Sequence, residues 1–132
     1  MFLAGLEREQ KKAFLGLAHA LIAADGVLEN HELSTIEQYK VEMNLCTMED
    51  EAEYGVEQAI TLFGTASIAV KKQIVFELVA LACVDKDFAD AENVLIEKIQ
   101  ADLDLNDEFL KNCKAYIEEL TDLYERIGKL VS

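Results

Sequence analysis

Aligned with itself at an offset of 60 residues, the chain repeats without a gap. Between Lys11 and Leu45, nine of 35 positions are identical to their counterparts between Lys71 and Leu105, where composition alone would give roughly two or three. The identities include Asp25 and Glu32, which return as Asp85 and Glu92. At 132 residues the chain is short enough to be one domain and long enough to enclose a real core. The expectation is a single domain, residues 1–132, built from two equivalent units at about 7–64 and about 67–131.

Both units read as helical. No proline and only six glycines interrupt the chain, and the helix formers Leu, Ala, Glu and Lys dominate it. In the first unit a helix is expected from Glu7 to Ala24, with Phe14, Leu17, Ala18, Leu21 and Ile22 at spacings of three and four. Its copy runs from Ser67, an N-cap, to Val84 and is equally apolar, so the two helices are expected to pack on each other. Residues 30–43 and 90–103 form a second pair of one-faced surface helices. A third helix is expected from Thr47, with Asp50 completing a capping box, to Phe63, and the last from Asn106 to Val131. The last carries an apolar stripe from Leu110 to Leu130 that is assigned to the core; any part that overshoots the core would be a sticky surface and lead to a dimer. The fold class is all-α: a single compact bundle of two pseudo-symmetric three-helix repeats, about six helices.

The net charge is −14, from 26 acidic and 12 basic residues. Such a surface repels phosphate backbones and anionic lipids, which argues against nucleic acid and polybasic-type membrane binding. It attracts divalent cations or a basic protein face. The longest apolar stretches, Ala13 to Ala24 and Ile74 to Val84, carry His19 and Glu77 and fall short of the roughly 20 residues a membrane span needs. The opening Met1 to Glu9 lacks the basic leader of a signal peptide. Cys46, Cys83 and Cys113 are odd in number and show no C-x-x-C pairing, as expected of reduced thiols in a cytoplasmic protein. Cys83 and Cys113 fall at apolar helix positions, where Cys acts as a small hydrophobe.

The candidate site is the pair of corners that join the first helix of each unit to the second. Asp25, Glu29 and Glu32 lie in the first corner, and Asp85, Asp87, Asp90 and Glu92 in the second. A hard cation such as calcium needs several oxygen ligands at short range, and a helix-turn-helix corner lets a helix end, a loop and the next first turn supply them together. The four acids of the second corner repel one another, each close pair by about 1 kcal/mol in water, so a divalent cation would relieve that strain. Capping competes with this reading, because Glu32 and Glu92 stand where a first-turn Glu suits the helix dipole and can accept from the cap backbone. An EF-hand does not fit: its sixth and twelfth loop positions would be Asp90 and Ile96 rather than Gly and Glu. Zinc would want His or Cys, and only His31 stands near the acids. His19 is expected to be a core or boundary side chain, and Lys11, Lys12, Lys71 and Lys72 an exposed first turn balanced by nearby acids.

At these residues the chain resembles the TerB-like domain family associated with tellurite resistance. The family's motif is an apolar helix ending in Ala-Asp-Gly, a short turn, and a Glu seven residues after the Asp, in two copies. Here it reads Leu21-Ile22-Ala23-Ala24-Asp25-Gly26 with Glu32, and Leu81-Ala82-Cys83-Val84-Asp85 with Glu92, Lys86 standing in place of the second Gly. The resemblance, which spans roughly Lys11 to Leu105, implies an all-helical fold with pseudo-twofold halves, no catalytic activity, and metal binding, calcium in particular, by Asp25, Glu32, Asp85 and Glu92. The expected function is a non-catalytic cytoplasmic module that binds a divalent cation at the corners and docks to an unidentified partner protein, as monomer or homodimer. The alternative is a cation-free structural interaction domain. A metal-assisted hydrolase using Glu32 or Glu92 as general base is the remote third, since no phosphate loop or nucleophile with a nearby base is visible.

Overall fold

Two apolar helices, α1 (Arg8–Ala23) and α4 (Ile68–Ala82), meet at the centre of the molecule. The computed structural model describes residues 2–24, 30–44, 54–83 and 90–132, with the side chains of residues 30–33, 35 and 90 outside that description. Among the described residues the other helices are α2 (Asn30–Glu42), α3 (Val56–Phe63), α5 (Asp90–Asp102) and α6 (Asp107–Val131), with a short 3-10 turn at Leu3–Gly5 and no strand. The protein is an all-α bundle of two three-helix units. α1 packs on α2, α3, α4 and α5, while α4 packs on α1, α5 and α6, so each central helix contacts the other two helices of its own unit.

Local chemistry sets most helix ends. Glu7 is extended and its N–H donates to Gln10 Oε1 at 3.0 Å, opening α1. Ser67 Oγ accepts from the Val70 N–H at 3.2 Å and opens α4; Asn106 Oδ1 accepts from Phe109 at 2.8 Å and opens α6. The duplication extends to the backbone at the ends of α2 and α5. Asn44 (φ 59°) and Asp104 (φ 61°) both adopt the left-handed conformation, and their N–H groups donate to Val41 and Ala101 carbonyls, each at 3.0 Å. These pairs lie at the same offset of 60 residues. A short polar side chain tolerates this conformation, which turns the chain out of the helix and satisfies its last carbonyls.

The core is continuous between the units. Phe14, Leu17, Leu21 and Ile22 of α1 and Ile74, Leu78 and Leu81 of α4 are buried, with Ile36, Tyr39 and Met43 from α2 and Ile96, Ile99 and Leu103 from α5. Tyr39 stands edge-on to Phe14 at 5.2 Å and donates its hydroxyl to the Glu77 carbonyl at 3.2 Å, so a polar group placed in the core is satisfied there.

Three expectations are corrected. The third helix does not run unbroken from Thr47 to Phe63: Tyr54 and Gly55 are non-helical, and α3 starts at Val56 with the Gly55 N–H on Gln58 Oε1 at 2.9 Å. Thr47 and Asp50 lie outside the described residues. Here the chain crosses α1 so closely that a Cβ on Gly16 would stand 2.4 Å from the Tyr54 carbonyl oxygen. The counterpart in α4 is Phe76, whose ring meets Phe2 at 5.8 Å, so the two units differ at this crossing. His19 is exposed rather than at the core, on the outward strip of α1 with Glu9 and Ala23. Finally, the apolar stripe of α6 is core only in its first half: Leu110, Cys113 and Ile117 are buried, while the large side chains from Leu120 onward are exposed.

Candidate cation site at the helix corners

Each corner lies between the paired helices of one unit, α1 with α2 and α4 with α5. Of the seven carboxylates in the candidate set, Asp25, Glu29, Asp85 and Asp87 lie outside the described residues. Glu32 is the third residue of α2 and Asp90 the first of α5, and their side chains are likewise outside the description. Glu92, the third residue of α5, is 2% exposed. Ordinary first-turn Glu residues sit in water, as do Glu9 at the start of α1 and Glu57 at the start of α3. A carboxylate taken out of water must be hydrogen-bonded, ion-paired or on a metal, and Glu92 interacts with other groups of the protein. Among the described residues no three His, Cys, Asp or Glu side chains converge as a metal-binding group. Any such site at a corner would draw its remaining ligands from the residues beyond the description.

Two further buried polar groups were not singled out as functional by sequence, although one had a signal. Glu77 interrupts the apolar run of α4 and is 4% exposed; its Oε1 accepts from the Phe2 N–H at 2.9 Å, which ties the N-terminal segment to α4. Gln100 donates to the Leu105 carbonyl at 2.6 Å and to Asp107 Oδ1 at 3.1 Å, joining the end of α5 to the start of α6. Burial, with Glu77 and Glu42 nearby, pushes the Tyr39 hydroxyl far above its usual range and keeps it a neutral donor.

Three of the four repeated lysines, Lys11, Lys12 and Lys72, have structural partners. Lys11 is not simply exposed: its Nζ donates to the Met43 carbonyl at 2.8 Å, closing the end of α2. Lys12 pairs with Glu9 at 3.8 Å, as expected of a balanced first turn. Lys72 stands over the Phe109 ring at 5.9 Å, at the rim of a shallow surface cleft that also includes Asp104 and Asn106. Burial pushes the Cys113 thiol up to about 11, so it stays protonated at neutral pH. Neither Cys83 nor Cys113 is in a disulfide.

No known family, no characterised protein and no solved structure matches this chain. Among the described residues, no helix is long and apolar enough to cross a membrane.

Proposed function

We propose that the chain is a TerB-like, non-catalytic, cytoplasmic helical module that binds a divalent cation of the calcium class at its acidic corners and docks to a partner protein. The burial of Glu92 carries this reading. Asp85, Asp87 and Asp90 lie within seven residues of it in sequence, and a cation would neutralise the cluster and offset the cost of withdrawing one member from water. Asp25, Glu29 and Glu32 would serve the first corner in the same way. Because α5 is tied to α6 through Gln100, a charge change at the second corner acts on two helices and on the surface a partner meets. Cys83 and Cys113, neither in a disulfide, suit a reducing compartment.

One observation favours a cation-free reading: Glu92 stands three residues past the α5 cap, where Glu can accept from the cap backbone. Thermal unfolding in EDTA and then in millimolar calcium or magnesium separates the two. Wild type at a hundred times the dissociation constant should gain about 2.7 kcal/mol, or roughly 10 °C. Glu92→Gln keeps an acceptor for capping but loses the charge, so it should unfold near the wild-type temperature in EDTA and lose the cation shift. No shift in wild type with any divalent ion would overturn the proposal and leave the corners as capping structure.

A further inference from the structure

The apolar stripe of α6 keeps one register over its whole length. Leu110, Ile117, Tyr124 and Val131 alternate with Cys113, Leu120 and Ile127 at steps of three and four, the spacing by which one helix packs along another. The first half is already used, since Leu110, Cys113 and Ile117 are buried in the bundle. In the second half the same face continues with Leu120 (37% exposed), Leu123 (45%), Tyr124 (66%), Ile127 (45%), Leu130 (82%) and Val131 (76%). These side chains present an area of the order that one partner gives to a standard interface, about 800 Å².

Charge indicates the occupant. The molecule carries −14, yet residues 120–132 hold two acids, Asp122 and Glu125, and two bases, Arg126 and Lys129, for no net charge. At this neutral stretch two copies of a strongly acidic chain approach without the local repulsion that facing acidic patches would add. Along α6 the acids Glu118, Glu119 and Asp122 precede the bases Arg126 and Lys129. Antiparallel pairing sets the bases of one copy against the acids of the other, whereas parallel pairing stacks like on like. Thr121 and Gly128, seven apart beside the stripe, add little bulk, and a Cβ on Gly128 would meet nothing within 4 Å.

We propose that the second half of α6 is a self-association surface, occupied by the same segment of a second copy running antiparallel. Sedimentation of the full chain from 1 to 200 µM, as trial concentrations, tests this. Wild type should pass from monomer to dimer as concentration rises, and Leu123→Glu combined with Ile127→Glu should stay monomeric with the helical content and melting temperature of dilute wild type. Both positions are exposed, so folding is preserved. Orientation has its own readout in a background with Cys46 and Cys83 changed to Ser: Tyr124→Cys, near the crossing point, should form an oxidised dimer, and Leu130→Cys, far from its own copy, should not. A wild-type monomer throughout the range would overturn the proposal, and flotation of that monomer with phosphatidylcholine vesicles would assign the face to lipid. A dimer indifferent to the double substitution would overturn it equally.

Discussion

Gly16 occupies a place that any side chain would disturb. Its missing Cβ lets the Tyr54 carbonyl approach α1 to a distance that a Cβ would reduce to 2.4 Å. In a helix Gly→Ala ordinarily stabilises by about 0.5–1 kcal/mol, but here the obstacle is backbone and cannot rotate away. Gly16→Ala should therefore destabilise by about 1–3 kcal/mol, seen as a melting temperature several degrees lower. Gly128→Ala, with open space around it, should move the other way; a neutral or stabilising Gly16→Ala would show that the crossing can yield. Cys113 gives a second residue-scale expectation. Its thiol is pushed up to about 11 by burial, against about 8.5 for an unfolded chain. Between those values the unfolded chain has released a proton that the folded one retains, so stability falls as pH rises from about 8.5 to 11. The raised Tyr39 hydroxyl adds to the loss in the same direction at still higher pH. Melting curves from pH 8 to 10.5 should show this decline, with a shallower slope for Cys113→Ala; an unchanged slope would put the loss elsewhere.

At the scale of elements, the repeat is most exact where two helices end. Asn44 and Asp104 are left-handed at φ 59° and 61°, a conformation that costs an ordinary L-residue roughly 1–2 kcal/mol and a glycine almost nothing. Asp104→Gly should raise stability by several tenths of a kcal/mol, and Asp104→Val should lower it by about 1–2 kcal/mol, the same order holding at Asn44. Denaturant unfolding checks both, and equal stability of Gly and Val variants would contradict the assignment. Helix ends with local signals were legible in the sequence: Ser67 acts as the expected cap, and α6 begins after Asn106 as expected, with Asn106 capping it. The start of α3 was not, because it depends on Tyr54 meeting Gly16 far along the chain. Nor was the burial of Glu92, since a first-turn Glu reads the same exposed or enclosed, and only packing of α5 on α4 distinguishes them. The stripe of α6 was visible in full, but the depth to which it enters the core depends on how far its neighbours reach. α3, its counterpart in the first unit, is only eight residues long.

For the whole molecule, charge decides the sign of its response to salt. Among the described residues, ion pairs lie at the surface, such as Lys98 with Asp102 at 2.7 Å and Glu57 at 2.9 Å, and Lys40 with Glu37 at 3.5 Å. Exposed pairs of this kind contribute at most about 1 kcal/mol each, whereas 26 acids against 12 bases give a repulsion that every carboxylate shares. Screening lengths fall from about 30 Å at 0.01 M salt to about 8 Å at 0.15 M, so added salt removes more repulsion than attraction. Raising sodium chloride from 0.01 M to 0.5 M in trial melts should therefore increase the melting temperature by several degrees. Under the proposed cation binding, calcium at matched ionic strength should add a shift on top, since site binding depends on the ion and screening does not. The same arithmetic governs self-association through α6, where apolar contact must overcome repulsion between two molecules of −14 each. The dimer should accordingly tighten as salt rises, with a lower dissociation constant by sedimentation at 0.5 M than at 0.01 M. Weakening over that range would mean that the pairs of Arg126 and Lys129 with the opposing acids, rather than the apolar stripe, hold the two copies together.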